Sequence, residues 1–261
     1  MPALNNHQSA QFTKLLLIGE PGSGKTGALA SLVLAGYKLC ILDFDNGLDT
    51  LAAVIKRTKP ELLDTVQFET LRDKYTPGPT GPIVQGVPHA FTRAQQLLNR
   101  WKTDSVDLGV PAEWGPEVVV VLDSLTFYSD AVYNWANALN PTAKDKRQIY
   151  FTAQQAIEST LALLTGESFR ANVIVISHIR YSDMPDGTKR GYPTSVGSAL
   201  GPTIPAYFNS TALCQSQAGG KRSIRTVSTA MIDLKNPKSF EMGEQLPIES
   251  ALATFFKTVR T

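Results

Sequence analysis

An α/β fold with a mostly parallel central sheet, flanked by helices and closed by a C-terminal β-hairpin, is predicted by three observations. Short apolar runs of strand length alternate with longer segments whose apolar residues recur at helical spacing. The strand-like runs KLLLIG, KLCILDF and EVVVVLDS are almost unbroken in apolar residues, as expected of strands covered on both faces. The 261 residues, 43% hydrophobic and 18% charged, suffice to cover such a sheet as one domain.

Residues 1–11 are polar and rich in Asn and Gln, and read as a flexible tail ahead of a single domain over 12–261. Phe12 reads as a core aromatic, with docking on a neighbouring copy as the alternative. KLLLIG (14–19) is a strand, TGALASLVLAG (26–36) a helix stopping at Gly36, and KLCILDF (38–44) a second strand. That succession opens a parallel sheet. In YTPGPTGPIVQGVP (75–88), Pro77, Pro79, Pro82 and Pro88 argue against the interior of a regular element and predict an exposed insertion.

Beyond it, Phe91, Ala94, Leu98 and Trp101 have helical spacing, and a loop through Gly115 and Pro116 leads into EVVVVLDS (117–124). Two helices follow, over about 126–139 and 146–164. Their predicted core faces carry Tyr128, Ala131, Trp135 and Leu139, then Tyr150, Ala153, Ile157, Leu161 and Leu164. NVIVISH (172–178) is another buried strand, and residues 180–205 form a long Gly/Ser/Thr/Pro-rich loop. Strands near 210–216 and 222–229, joined by QAGGKR, form the hairpin before a last helix near 247–259.

A formal charge of +2 is too small to mark a nucleic-acid binder by its net field, so any basic footprint has to be local. Cys40 and Cys214 sit in apolar runs without a CxxC pair and read as core thiols. No signal-peptide pattern and no apolar run of about 20 residues occurs, which predicts a cytoplasmic chain without a membrane partner.

GEPGSGKT, residues 19–26, fits GxxxxGK[ST] between a strand and a helix. Glycines there let backbone N–H groups wrap a phosphate, a lysine reaches the β- and γ-phosphates, and a threonine gives an oxygen to Mg²⁺. The nucleotide contacts predicted are Gly19, Glu20, Pro21, Gly22, Ser23, Gly24, Lys25, Thr26 and Gly27; an inert glycine turn is the alternative. Asp123, closing VVVVLD, is the candidate second metal group beside Thr26, acting through water; capping the next helix, as Ser124 could also do, is its alternative.

Hydrolysis needs a group to orient the attacking water. In DFDNGLD (43–49), Asp43 and Asp45 would point the same way if the strand reached residue 45, whereas a bend would separate them. A polar turn is the alternative, with Asp49 starting the next helix.

Taken in order, GEPGSGKT, LCILDFDNGLD, VVVVLDSL and VIVISHIR with its glycine-rich loop resemble the RecA-like recombinase ATPases. The resemblance is closest to short, core-only phage-type members acting in single-strand annealing and recombination, and it covers most of residues 14–230. It implies a P-loop NTPase fold with a RecA-like core, ATP and Mg²⁺ as cofactors, and hydrolysis to ADP and phosphate. It further implies single-stranded DNA as partner, self-association as a ring or filament, a single-strand-binding protein as a further partner, and a bacterial host cytoplasm if the chain is phage-encoded.

By the same resemblance Asp45 is the water-activating base, one methylene shorter than the family's glutamate, and Asp43 is structural. His178, with Ser177 beside it, is the γ-phosphate sensor. Residues 180–205 meet DNA through Arg180, Tyr181, Lys189, Arg190 and Tyr192, partly offset by Asp183 and Asp186, a mobile lid being the alternative. Lys221, Arg222 and Arg225 form a second basic group on the C-terminal hairpin, read as a further DNA contact or as a solvated turn; they, or Lys235 and Lys238, could instead reach a neighbour's ATP. A helicase or loader motor on the same core, and a P-loop kinase acting on a small molecule, are the alternative functions; the scarcity of arginine in 180–205 speaks against the kinase.

Overall fold

The first strand, β1 (Lys14–Gly19), runs into a helix of two pieces, α1 (Lys25–Ala28) and α2 (Ala30–Leu34), joined by Leu29 in helical conformation. These elements come from a computed structural model describing residues 11–142 and 144–260, so the expected tail lies almost wholly outside the described residues. Then follow β2 (Lys38–Asp43), α3 (Asp49–Thr58), β3 (Val66–Thr70), β4 (Tyr75–Gly78), β5 (Gly81–Val84) and α4 (Ala90–Asn99). A short pair, β6 (Trp101–Lys102) and β7 (Asp107–Gly109), precedes β8 (Gly115–Asp123), α5 (Leu125–Leu139), α6 (Lys146–Thr165) and β9 (Ala171–Ser177). The chain closes with β10 (Ile179–Asp183), β11 (Lys189–Pro193), β12 (Ser210–Ser216), β13 (Arg222–Arg225), β14 (Gln245–Pro247) and α7 (Ala251–Arg260).

Among the described residues the main sheet has eight strands in the order β14-β13-β12-β1-β9-β8-β2-β3. The six from β12 to β3 are parallel, and β13 and β14 add an antiparallel margin. The mostly parallel sheet and the hairpin at β12 and β13 are as predicted. Strand periodicity divides the apolar residues between two cores. Leu16, Ile18, Leu42, Val120, Leu122 and Val175 pack with residues of α4, α5 and α6, while Leu15, Leu17, Ile41, Val119, Val121 and Ile176 pack with residues of α2, α3 and α7. Phe12, Cys40 and Cys214 are buried.

The strands β1 and β2 both join the parallel sheet, as expected, with β9 and β8 lying between them. Several expectations are corrected. The proline-rich segment is not irregular: β4 and β5 form an antiparallel hairpin with Pro77 opposite Pro82. The Gln85 amide donates to the Lys74 carbonyl at 2.8 Å. Alternation from that bonded pair puts Pro77 and Pro82 in a non-hydrogen-bonded pair, where their missing N–H groups cost nothing. Residues 180–205 likewise contain a regular hairpin, β10 with β11.

Leu139 is 54% and Tyr150 40% exposed, so neither joins the core faces predicted for their helices. Leu139 ends α5, and Tyr150 rests instead on Tyr133, with ring centroids 5.0 Å apart. Trp101 lies past the end of α4 yet is fully buried. The second hairpin strand stops at Arg225, and the last helix starts at Ala251. No helix among the described residues is long and apolar enough to cross a membrane.

Candidate active site

The phosphate-type loop links β1 to α1 and is held from below. A methyl group on Gly19 would stand 2.5 Å from the Cys214 carbonyl oxygen and 2.6 Å from Ser23 Oγ, so only glycine lets the loop sit on β12. The Cys214 thiol donates to the Ser23 carbonyl at 3.1 Å. Burial pushes that thiol up to about 11, which keeps it protonated as a donor. Gly22 and Gly24 have φ of 76° and 96°, in the left-handed region, and the space beside Gly22 is open. Lys25 Nζ folds back on the loop, donating to the carbonyls of Gly19 and Glu20 at 2.9 Å each. Burial lowers its pKa, opposed by Cys214, Asp123, Asp45 and Glu20.

The end of β8 delivers Asp123 to the loop. Thr26 Oγ1 donates to Asp123 Oδ2 at 2.7 Å, while Asp123 Oδ1 is buried without a hydrogen-bond partner among the described residues. Burial pushes this carboxyl up to about 7; the Thr26 bond opposes that rise and the nearby Asp45 and Asp43 add to it. A buried orphan carboxylate oxygen and a threonine hydroxyl beside an open phosphate-type loop form an oxygen donor set suited to Mg²⁺, so the residues present fit that ion. The capping alternative has no contact behind it: the N-cap position of α5 is Ser124 rather than Asp123, and it makes no side-chain cap hydrogen bond.

The strand β2 ends at Asp43, opposite Asp123 in the ladder, and the chain then bends, with Asn46 at φ 56°. The bend separates the two aspartates. Asp43 Oδ1 accepts from the Asn46 amide and Oδ2 from Thr70 Oγ1, both at 2.8 Å, so this buried carboxylate ties the turn to β3. Asp45 turns the other way and accepts from Ser124 Oγ at 2.6 Å. Arg72 Nη1 donates to its carbonyl at 3.2 Å. Asp49 is the first residue of α3.

Because β9 lies between β1 and β8, its C-terminal end opens between the loop and Asp123. The next residue, His178, donates its amide to Thr126 Oγ1 at 3.1 Å, and its ring meets Phe127 edge-on at 6.0 Å. Burial, then Lys25, lowers the His178 pKa. Ser177 is held by the next segment, its Oγ accepting from the Thr194 amide at 3.1 Å. A cavity of about 280 Å³ brings Lys25, Thr26, Asp45 and His178 together. Arg222, expected from the sequence at DNA, in a solvated turn or at a neighbour's site, also lines it.

A family model described as an AAA domain matches residues 11–237. The chain belongs to the AAA-domain family. The match to this P-loop ATPase family takes in the loop, Asp45, Asp123, His178 and β13, and stops short of β14 and α7. No curated protein matches the chain.

In this AAA domain the five residues expected to meet DNA lie on the hairpin that leaves the sheet directly after His178. The register pairs Arg180 with Tyr192 and Ser182 with Arg190, which puts Arg180, Arg190 and Tyr192 on one face and Tyr181 and Lys189 on the other. Arg190 faces Asp233 at 3.2 Å, and Lys189 faces Asp183 at 3.8 Å. Tyr181 leans toward the Glu20 carboxylate of the phosphate-type loop; burial first, and then Glu20, raise its pKa.

Proposed function

We propose that this AAA domain is a RecA-like ATPase that binds single-stranded DNA within an oligomer and uses the ATP cycle to promote annealing or strand exchange. The observation that carries the reading is the convergence of Lys25, Thr26, Asp45 and His178 on one cavity, with Asp123 fastened to Thr26.

Lys25 leaves the loop carbonyls to meet the β- and γ-phosphates of ATP, and the loop amides hold the rest of the phosphate chain. Thr26 and Asp123 would hold Mg²⁺, which when bound neutralises charge on the β- and γ-phosphates. Asp45, oriented by Ser124, accepts a proton from water as the water oxygen attacks the γ-phosphorus and the bond to the bridging oxygen of ADP breaks. His178, kept neutral by its lowered pKa, offers a single hydrogen bond toward the γ-phosphate.

The hairpin starts one residue after His178, so a shift at the γ-phosphate has a short path to Arg180, Arg190 and Tyr192. Two guanidinium groups and an aromatic ring on one face suit the phosphates and bases of a single strand. ATP hydrolysis measured with and without single-stranded DNA tests the proposal. Stimulation is the expected result; DNA-independent transfer of phosphate to a small molecule overturns it. Annealing of complementary strands, as opposed to directional unwinding, then separates this reading from a helicase on the same core.

A further inference from the structure

Arg222 reaches the phosphate-type loop from outside the loop motif. It opens β13, where it pairs with Ser216 of β12, and β12 is the parallel neighbour of β1. Its stem crosses Gly24: a methyl group there would stand 2.8 Å from Arg222 Cδ and 3.6 Å from its Nε. The absence of a side chain at Gly24 is thus what lets the arginine lie over the loop.

The residue borders the same cavity as Lys25, Asp45 and His178. Among the described residues no carboxylate pairs with it. Of the four other cations grouped with it, three are engaged: Arg225 faces Glu244 at 3.9 Å, Lys238 faces Glu241 at 3.0 Å, and Lys235 Nζ donates to the Phe208 carbonyl at 2.9 Å. A guanidinium offers five donors in a fork that matches phosphate oxygens. Unpaired and laid over a phosphate-type loop, it is equipped to bind the anion for which that loop is shaped.

We propose that Arg222 is a phosphate ligand of the nucleotide in its own subunit, donating to the phosphate chain alongside Lys25. The assignment rests on the reading of residues 19–26 as an ATP site. It makes the hairpin formed by β12 and β13 part of the nucleotide site, rather than a DNA contact or a group sent to a neighbour.

The test is equilibrium binding of MgATP, MgADP and adenosine to the full chain and to its Arg222→Gln, Arg222→Lys and Lys25→Ala variants. Arg222 is solvent-exposed, and an unchanged melting curve for Arg222→Gln is expected; Arg222→Lys, which keeps the charge, serves as a second probe. Arg222→Gln should weaken MgATP about ten-fold or more and flatten the salt dependence of binding, with partial recovery in Arg222→Lys and no change for adenosine. Loss confined to MgATP would locate the contact at the γ-phosphate, and equal loss for MgADP at the inner phosphates; both support the assignment.

Native affinity in Arg222→Gln alongside lost affinity in Lys25→Ala overturns the proposal and leaves the loop reading standing. Native affinity in both variants overturns the loop reading itself. Weakened adenosine binding would make Arg222 a base contact and also overturns the proposal. Recovery of hydrolysis on mixing Arg222→Gln with Lys25→Ala chains would send the arginine to a neighbour's site and overturn the same-subunit assignment.

Discussion

Ser124 Oγ donates to Asp45 Oδ1 at 2.6 Å, joining residues 79 positions apart in the chain. The bond turns the carboxylate of a bend into a fixed group at the mouth of the cavity. One Asp45 oxygen is taken by Ser124, and the other is left to meet water.

Asp45→Asn keeps an oxygen acceptor for Ser124 but cannot accept a proton. Turnover should fall about 100-fold or more with ATP affinity nearly unchanged. Steady-state hydrolysis beside equilibrium nucleotide binding checks this, and near-normal hydrolysis would move the base elsewhere. Ser124→Ala should lower turnover less, because it frees the carboxylate without removing it.

Gly19→Ala places a methyl group against the Cys214 carbonyl and Ser23 Oγ. The loop or β12 has to shift, at a cost of about 1–3 kcal/mol. A lower melting temperature together with weaker nucleotide binding is expected, and a variant unchanged in both would show that the loop does not need this close contact.

Lys14 is buried at the other end of β1, where its ammonium donates to the carbonyls of Phe169 and Ala171 at 2.7 and 2.8 Å and lies over the Phe169 ring. Burial lowers its pKa from 10.5 to about 7. Between those values the unfolded chain binds the proton that the folded chain has released, so stability rises with pH in that window and the full cost of the charge is present below about 7. The thiols of Cys40 and Cys214, raised to about 12 and about 11, work in the opposite sense above pH 9. Melting of the native chain from pH 7 to 9 should therefore gain stability relative to Lys14→Met, and parallel curves would contradict the shift.

Arg180 and Arg190 share a face of their hairpin, whereas Lys189 is on the other. Arg180→Ala combined with Arg190→Ala should weaken single-stranded DNA binding and reduce the slope of log affinity against log salt by about 1.4, that is about 0.7 per phosphate contact. Lys189→Ala should change both less. Equal effects of the three positions would mean that DNA does not bind along one face.

Contiguous patterns were readable in the chain. GEPGSGKT, the four valines before Asp123 and the helical spacing of Ile157, Leu161 and Leu164 carry their chemistry or burial in neighbouring letters. The edge strand β3, VQFET, was missed because it is only partly covered and lacks the apolar run of its neighbours. The Pro77 and Pro82 pairing was missed because a proline's cost depends on whether its partner position requires a bond, and that is a cross-strand property.

Local order in the chain was enough to establish a P-loop α/β core and to put Thr26 and Asp123 forward as a pair, while the choice of Asp45 over Asp43 came from the resemblance to RecA-like ATPases. Periodicity reports which faces of a strand are buried, and a motif reports which groups a turn presents. Neither reports which strand lies alongside. Only the tertiary structure decided that β9 enters between β1 and β8, that the chain bends after Asp43 so that Asp45 meets Ser124, and that β13 carries Arg222 across Gly24. Those relationships depend on which strands pair and how the helices pack over them, and such contacts join residues that no local pattern links.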